Sequence, residues 1–202
     1  FVLRGGVPVF CEIDEKTMNI NPDLIEPLIT EKTKLIMPID YAGIPCEMGK
    51  INQIAKKYNL HVLQDCAQSF HSYHENGEVS GSMAELAAFS FHETKNINCG
   101  EGGALVVNNP SLVDRAHFLQ EKGTDRSLVL KGVKNKYSWV DVGSSFLLSD
   151  ILASMLYKQL NNVEKIVERR SIVYNAYKKL FEQYDKLGKL SIPHYSNKIK
   201  LN

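Results

Sequence analysis

The sequence predicts an α/β protein with a mostly parallel β-sheet and helices on both faces, which makes a three-layer αβα sandwich. Apolar runs of strand length alternate with segments of helical periodicity. Most of the strand-like runs are apolar throughout, as in strands that are buried on both faces. The 202 residues, 44% of them hydrophobic, are enough to form one sizeable core.

Five strands are predicted in chain order. The apolar runs lie at residues 7–13, 34–39, 61–66, 85–91 and 103–109. The segment between the last two runs is too short for a crossover helix, so we expect this pair to be antiparallel.

Four helical segments accompany these strands. Residues 21–29 begin with the capping residue Asn21 and a proline, but Pro27 disfavours the later turn. Residues 47–60 place four apolar side chains on one helical face, and residues 111–123 end at a glycine. The helical pattern at 147–184 is too long for one typical globular helix, so we expect a break at Asn161-Asn162.

Composition excludes several classes of partner. The formal net charge is +1, which gives no electrostatic footprint for nucleic acid or an anionic membrane. No apolar run reaches the length of a membrane-spanning helix, and no secretory signal is visible. The four cysteines are scattered without a CxxC pair, so we expect a reduced, cytoplasmic protein without a metal site.

Polar residues follow several of the predicted strands. They include Asp40, Asp65 and the segment 90–92, and parallel sheets bind ligands at such strand ends. Lys95 follows shortly, before the glycine-rich turn 100–103. A deprotonated lysine amine can form a Schiff base with a carbonyl, including that of pyridoxal 5'-phosphate. That cofactor also needs an acid beside its ring nitrogen and donors for its phosphate.

Each of these residues also has a purely structural explanation. A strand-end carboxylate such as Asp65 commonly caps a turn, and Lys95 alone would be an ordinary solvated charge. Ser90 could simply bond to nearby backbone. His92 has no second residue at metal-ligand spacing, so it favours a structural or substrate-side role.

At these residues the sequence resembles the DegT-type nucleotide-sugar aminotransferases, which are pyridoxal-phosphate enzymes of fold type I. The resemblance extends over essentially the whole chain. No single motif is decisive, but their order and spacing together are specific. The motifs are MPIDYAG, AKKYNLHVLQDCAQ, FSFHETKN, GEGGALVVNN, EKGTDRS and KYSWVDVGSSFLLSD.

The resemblance implies a role for each matching residue. Lys95 would bind the cofactor covalently, Asp65 would pair with its pyridine nitrogen, and Gln68 would contact its ring oxygen. Ser90 would bind the cofactor phosphate. Ser145 stands where many relatives place an asparagine that reaches the cofactor of the neighbouring subunit, so this contact is shortened or lost here. Three residues around the lysine would shape the sugar site: His92, Glu93 and Asn96.

The same resemblance implies a function and a domain organisation. A homodimer with shared active sites would transfer an amino group from L-glutamate to a nucleotide-linked 4-keto-6-deoxyhexose. Residues 1–146 would belong to the large cofactor-binding domain, 147–185 to connecting helices, and 186–202 to the start of a truncated small domain. The chain begins without methionine and lacks upstream phosphate contacts, so we expect an inactive central fragment of a longer enzyme.

Two alternatives remain open at this stage. The first is a nucleotide-sugar dehydratase on the same fold; such relatives replace the lysine with histidine, so Lys95 argues against it, while His92 nearby keeps it open. The second is a non-catalytic protein, either a regulatory homologue or a truncated product.

Overall fold

The computed structural model describes all residues 1–202 and contains one four-stranded sheet. The strands lie side by side in chain order: β1 (Leu35–Ile36), β2 (His61–Asp65), β3 (Leu86–Ser90) and β4 (Gly103–Val107). β1, β2 and β3 are parallel, whereas β4 runs antiparallel to β3. The structure therefore confirms a mostly parallel sheet and an antiparallel last pair.

Helix α1 (Met48–Tyr58) covers one face of this sheet and closes the main core. Its buried residues are Met48, Ile51 and Ala55, spaced at helical period as the sequence predicts. The helix ends at Asn59, whose left-handed backbone (φ 52°) lets its N–H cap the last carbonyls. The core that α1 closes also contains apolar residues from β1 and β2.

Ile51 provides a test of this core. We expect Ile51→Ala to lower the free energy of unfolding by about 2–5 kcal/mol, because its side chain is fully buried and alanine leaves a cavity. Urea unfolding monitored by circular dichroism measures the change. Lys56→Ala, at an exposed position of the same helix, is the control and should change stability by less than about 0.5 kcal/mol. Equal stability of the two variants would contradict this description of the core.

The strand register assigns side chains to the two faces of the sheet. Asp65 pairs with Ala88, so the two share a face, and Ser90 lies two residues further along on that same face. Gln64 and Ala87 point to the opposite face, where both are fully buried. The polar strand ends Asp65 and Ser90 therefore come from neighbouring strands and project from the same side of the sheet.

The strand predicted at residues 7–13 is wrong. Only Ile13 makes a β-bridge, to Ile20, and the apolar side chains of Val7 and Phe10 are 85% and 89% exposed. No neighbouring strand is present to satisfy the backbone of this segment, and an apolar run alone does not form a strand.

The helix predicted at 21–29 forms two short 3₁₀ turns instead, Pro22–Leu24 and Glu26–Leu28. Pro27 explains the interruption, since it cannot donate a helical hydrogen bond. Helix α2 (Val113–Gln120) ends before the predicted Gly123: the chain leaves helical geometry at Glu121 (φ −100°, ψ 50°), and Lys122 then has a left-handed φ of 61°.

The C-terminal helices follow the predicted break. A short helix, α3 (Arg126–Leu130), lies outside the four helical segments predicted from the sequence. Helices α4 (Asp150–Leu160) and α5 (Val163–Lys186) are separated at Asn161-Asn162, as expected. Their apolar side chains pack against a second cluster built on Phe91, Ile97 and Cys99. None of the helices is both long and apolar enough to cross a bilayer.

Candidate active site

A cavity of about 390 Å³ opens at the carboxyl ends of β2 and β3. Gln68, Ser90, Lys95 and Asn96, all singled out from the sequence, line this one cavity. The remaining lining residues come from the turn after β1, the segment after β2, the Lys95 loop, helix α5 and the end of the chain: Ala42, Ala67, Phe70, Thr94, Ile97, Arg170, Ser171, Tyr174, Leu201 and Asn202. The cavity lies where a parallel sheet is expected to bind its ligand.

Lys95 sits in the connection between β3 and β4, and backbone hydrogen bonds hold this loop closed. The N–H of Phe91 donates to the carbonyl of Gly102 at 2.8 Å, and the N–H of Cys99 donates to the carbonyl of Phe91 at 2.9 Å. Ile97 and Cys99 are buried in the cluster under α4 and α5. The backbone of the loop is thus anchored on both sides of Lys95, whose Nζ forms no salt bridge.

Glycine is required in the turn that follows. Gly100 has a φ of 90°, a conformation that side chains rarely allow. A Cβ on Gly102 would lie 2.7 Å from the Sγ of Cys99 and 3.5 Å from the Cβ of Phe91. The glycines therefore allow the tight turn by which the chain returns to β4.

Asp65 ends β2 with one carboxylate oxygen occupied and one available. Its Oδ1 accepts a hydrogen bond from the N–H of Ala67 at 2.9 Å, whereas Oδ2 accepts none from within the chain. The side chain itself is half-buried and does not line the cavity, but its hydrogen-bond donor Ala67 does. Asp65 therefore offers a carboxylate oxygen beside the cavity on the same sheet face as Ser90.

Gln68 and Ser90 each present a free donor. The Oε1 of Gln68 accepts from the N–H of Ala42 at 2.8 Å, which leaves its Nε2 without a partner in the chain. The Oγ of Ser90 accepts from the N–H of His92 at 3.3 Å, so its own proton is free to donate. Two neutral donors and the amine of Lys95 thus share one cavity.

The charges of the cavity favour an anionic ligand. Lys95 and Arg170 line it, and no aspartate or glutamate does. Neither cation forms a salt bridge within the chain. A concave site lined by unpaired positive charge raises the local concentration of anions, phosphate esters among them.

The donor set also matches the groups of pyridoxal phosphate. An amine for its aldehyde, a hydroxyl for its phosphate, an amide N–H for its ring oxygen and a free carboxylate oxygen for its ring nitrogen are all present. The residues of this chain therefore fit that cofactor.

Besides Asp65, three other residues singled out from the sequence lie off the cavity wall. His92 bonds to the Oγ1 of Thr94 at 3.0 Å, and Glu93 is exposed. Ser145 is exposed and forms a β-bridge with Glu121. The substrate roles of His92 and Glu93 and the contact of Ser145 with a second subunit stay predictions.

Sequence reasoning did not find the wall formed by α5. Arg170 and Tyr174 are four residues apart and so share a helix face, which is the signal that the sequence offered. Nothing in the sequence indicated that this face would lie over the loop of Lys95.

Cys66, between Asp65 and Gln68, is not a nucleophile. Its side chain is fully buried, and burial together with the negative charge of Asp40 raises the pKa of the Cys66 thiol to about 12. The thiol therefore stays protonated at neutral pH, when only the thiolate would react.

Comparisons with known proteins agree with this geometry. The model of the DegT/DnrJ/EryC1/StrS aminotransferase family matches residues 2–201. GDP-perosamine synthase of Escherichia coli O157:H7 is 34% identical over 176 residues, which cover 87% of this chain and 46% of that protein. The chain spans about half the length of the curated relatives it matches.

Solved structures show the same fold. An aminotransferase from Psychrobacter cryohalolentis superimposes with a TM-score of 0.90 at 28% identity, over 99% of this chain and 53% of that one. The PLP-form of the putative sugar aminotransferase Spr1654 from Streptococcus pneumoniae gives a TM-score of 0.81 at 26% identity, over 99% of this chain and 54% of that one.

Proposed function

This chain belongs to the DegT/DnrJ/EryC1/StrS aminotransferase family, and we propose that it carries the cofactor-binding residues of a pyridoxal-phosphate-dependent sugar aminotransferase. The observation that carries the proposal is the single cavity that brings together Gln68, Ser90 and Lys95. These residues come from two strand ends and one loop, and their donors match the groups of the cofactor.

Each residue has a defined task in this proposal. Bound pyridoxal phosphate would supply an aldehyde for covalent attachment and a ring that accepts the electron pair of a carbanion. The Lys95 amine would hold the cofactor and would accept and return the proton at the reacting carbon. Asp65 would keep a proton on the ring nitrogen through its free Oδ2, Ser90 would donate to the phosphate, and Gln68 would donate to the ring oxygen through Nε2.

The substrate and donor complete the proposal. FHETKN together with YSWVDVGSSFLLSD resembles dTDP-4-amino-4,6-dideoxygalactose transaminase, which implies amination of dTDP-4-keto-6-deoxyglucose with L-glutamate for surface-glycan biosynthesis. The name of the similar GDP-perosamine synthase also supports a nucleotide-linked sugar. We assign residues 1–146 to the large domain, 147–185 to connecting helices and 186–202 to the start of a small domain, within a homodimer in which Ser145 faces the partner's site.

Borohydride reduction tests the central step. The protein is expressed from its complete reading frame, here called the complete-frame protein, loaded with pyridoxal phosphate, reduced and digested. We expect mass spectrometry to find a pyridoxyl group on the peptide that contains Lys95, because only a deprotonated amine can bind the aldehyde. A protein that binds the cofactor without labelling Lys95 would support the dehydratase alternative, and a protein that does not bind it would support a non-catalytic one.

An assay with dTDP-4-keto-6-deoxyglucose and L-glutamate tests the substrate. The expected product is the 4-amino sugar with galactose configuration at C4, identified by NMR. A GDP-linked 4-keto sugar serves as the comparison, and preferred turnover of that sugar would overturn the choice of nucleotide while leaving transamination intact.

A further inference from the structure

The residues that hold Gln68 in place include a buried carboxylate without a cation. Asp40 is fully buried and forms no salt bridge. The N–H of Cys46 donates to its Oδ1 at 2.9 Å, while the Nε2 of Gln64 and the Oγ of Ser69 donate to its Oδ2 at 2.9 and 2.8 Å. The hydroxyl of Ser80 also bonds to Oδ2.

Burying a carboxylate without a cation costs free energy. Here only hydrogen bonds within the chain replace those that Asp40 would make with water. Its four main partners all donate hydrogen bonds, and an ionised carboxylate can only accept them. An apolar side chain in place of Asp40 would leave the buried donors around it unpaired, which is costly as well. The carboxylate therefore fixes the segments that carry these donors.

Asp40 lies between the two segments that meet at Gln68. Its own N–H donates to the carbonyl of Asp65 at 3.0 Å, and its carboxylate holds Ser69, the residue after Gln68. Two residues after Asp40, the N–H of Ala42 donates to the Oε1 of Gln68 at 2.8 Å. One buried side chain thus joins the turn after β1 to the turn after β2.

Ala42 lies at this junction of the two turns in an unfavourable backbone conformation. Its φ of 53° and ψ of 23° are left-handed, a conformation that costs an alanine free energy. That conformation accompanies the hydrogen bond from its N–H to the amide oxygen of Gln68. Because the oxygen is occupied, Nε2 is the end of the Gln68 amide that remains available to the cavity.

We propose that Asp40 is a positioning residue for the cofactor pocket, whose buried carboxylate holds the turn of Gln68 against Ala42 and so orients the Gln68 amide. The inference rests on the proposed function, since it assumes that Gln68 contacts pyridoxal phosphate. Asp40 itself does not line the cavity, so we assign it no direct contact with the cofactor.

The first experiment measures the dissociation constant of pyridoxal phosphate in the complete-frame protein, by titrating the absorbance band at roughly 420 nm. We expect Asp40→Ala to weaken binding about tenfold, the lower end of the loss found when a residue that orients a metal ligand is removed. Ile51→Ala is the control for general destabilisation, because Ile51 is equally buried but belongs to the core under α1. It should leave the dissociation constant within about twofold of wild type.

A double-mutant cycle tests whether Asp40 acts through Gln68. Gln68→Ala removes the amide that Asp40 is inferred to orient. In that background Asp40→Ala should weaken binding by clearly less than it does alone, since residues that act through each other are not additive. If Asp40→Ala weakens binding by the same factor with and without Gln68, then Asp40 acts independently of Gln68 and the inference is overturned.

Variants of two serines form a matched pair that tests the inference even if Asp40→Ala does not fold. Ser69 and Ser80 are both buried, and both hydroxyls bond to the same oxygen of Asp40. Only Ser69 adjoins Gln68, so we expect Ser69→Ala to weaken cofactor binding severalfold and Ser80→Ala to leave it unchanged. If Asp40→Ala does not fold, this pair decides the question.

Equal effects of the two serine variants would overturn the inference, as would wild-type binding by Asp40→Ala or an equal loss in Ile51→Ala. A wild-type protein that does not bind pyridoxal phosphate would instead refute the proposed function, and the inference with it. The two failures are therefore distinguishable from the wild-type titration alone.

Discussion

We expect Lys95→Ala in the complete-frame protein to lower the rate of transamination by about a thousandfold or more, because one residue both binds the cofactor covalently and transfers the proton. The absorbance band at roughly 420 nm should disappear as well. Turnover with L-glutamate and the nucleotide sugar measures the first effect, and a spectrum of the loaded protein measures the second.

Lys95→Arg separates charge from nucleophilicity. Arginine keeps the positive charge of the cavity, but its guanidinium is not deprotonated in proteins and cannot bind an aldehyde or relay a proton. It should therefore fail as Lys95→Ala does, although its positive charge should attract the anionic cofactor to the pocket as strongly as before. Lys32→Ala, at an exposed turn, is the control and should be as active as wild type. Substantial turnover in Lys95→Arg would contradict a covalent role.

The second large effect is expected at Asp65. Asp65→Ala should reduce turnover by about two to four orders of magnitude, because the ring nitrogen then loses the carboxylate that keeps it protonated. The variant should still fold, since the strand bonds of this residue are made by its backbone: its N–H donates to Pro38 and its carbonyl accepts from Asp40.

Asp65→Asn refines this test. Asparagine can still accept the hydrogen bond from Ala67, so the local turn is retained while the negative charge is lost. We expect it to be nearly as impaired as Asp65→Ala, with cofactor binding less affected than turnover. The exposed Asp23 offers a control, Asp23→Asn, that should keep full activity. Near-wild-type turnover in either Asp65 variant would refute the assignment.

Local pattern predicted much of the fold. The stripe of Met48, Ile51 and Ala55 predicted α1, and the short apolar runs predicted β2, β3 and β4, because these periodicities reflect which side chains each element buries. The run at 7–13 was misleading because a strand also needs a neighbour, and whether one is present depends on residues far away in the chain.

The candidate site also has a part that the sequence predicted and a part that only the structure showed. Ser90 and Lys95 could be singled out because strand order places strand ends at one edge, and Gln68 because of the family resemblance. A single cavity does contain all three. The contacts of Asp40 with Ser69 and Ser80 join residues 29 and 40 positions apart, and Arg170 is 75 positions from Lys95. Helix and strand periodicities relate residues only a few positions apart, so they do not predict contacts over such separations.

By itself, the sequence determined the types and order of most of the elements, the residues that bring chemistry to the strand ends, and the glycines that allow the return to β4. Only the tertiary structure decided that α5 would close the cavity with Arg170, that Oε1 of Gln68 would be occupied by Ala42, and that Asp40 would be buried between them. The physical reason is that periodicity and turn chemistry act between near neighbours in the chain. Burial and hydrogen-bond partners at the site are set by segments that meet only when the whole core packs.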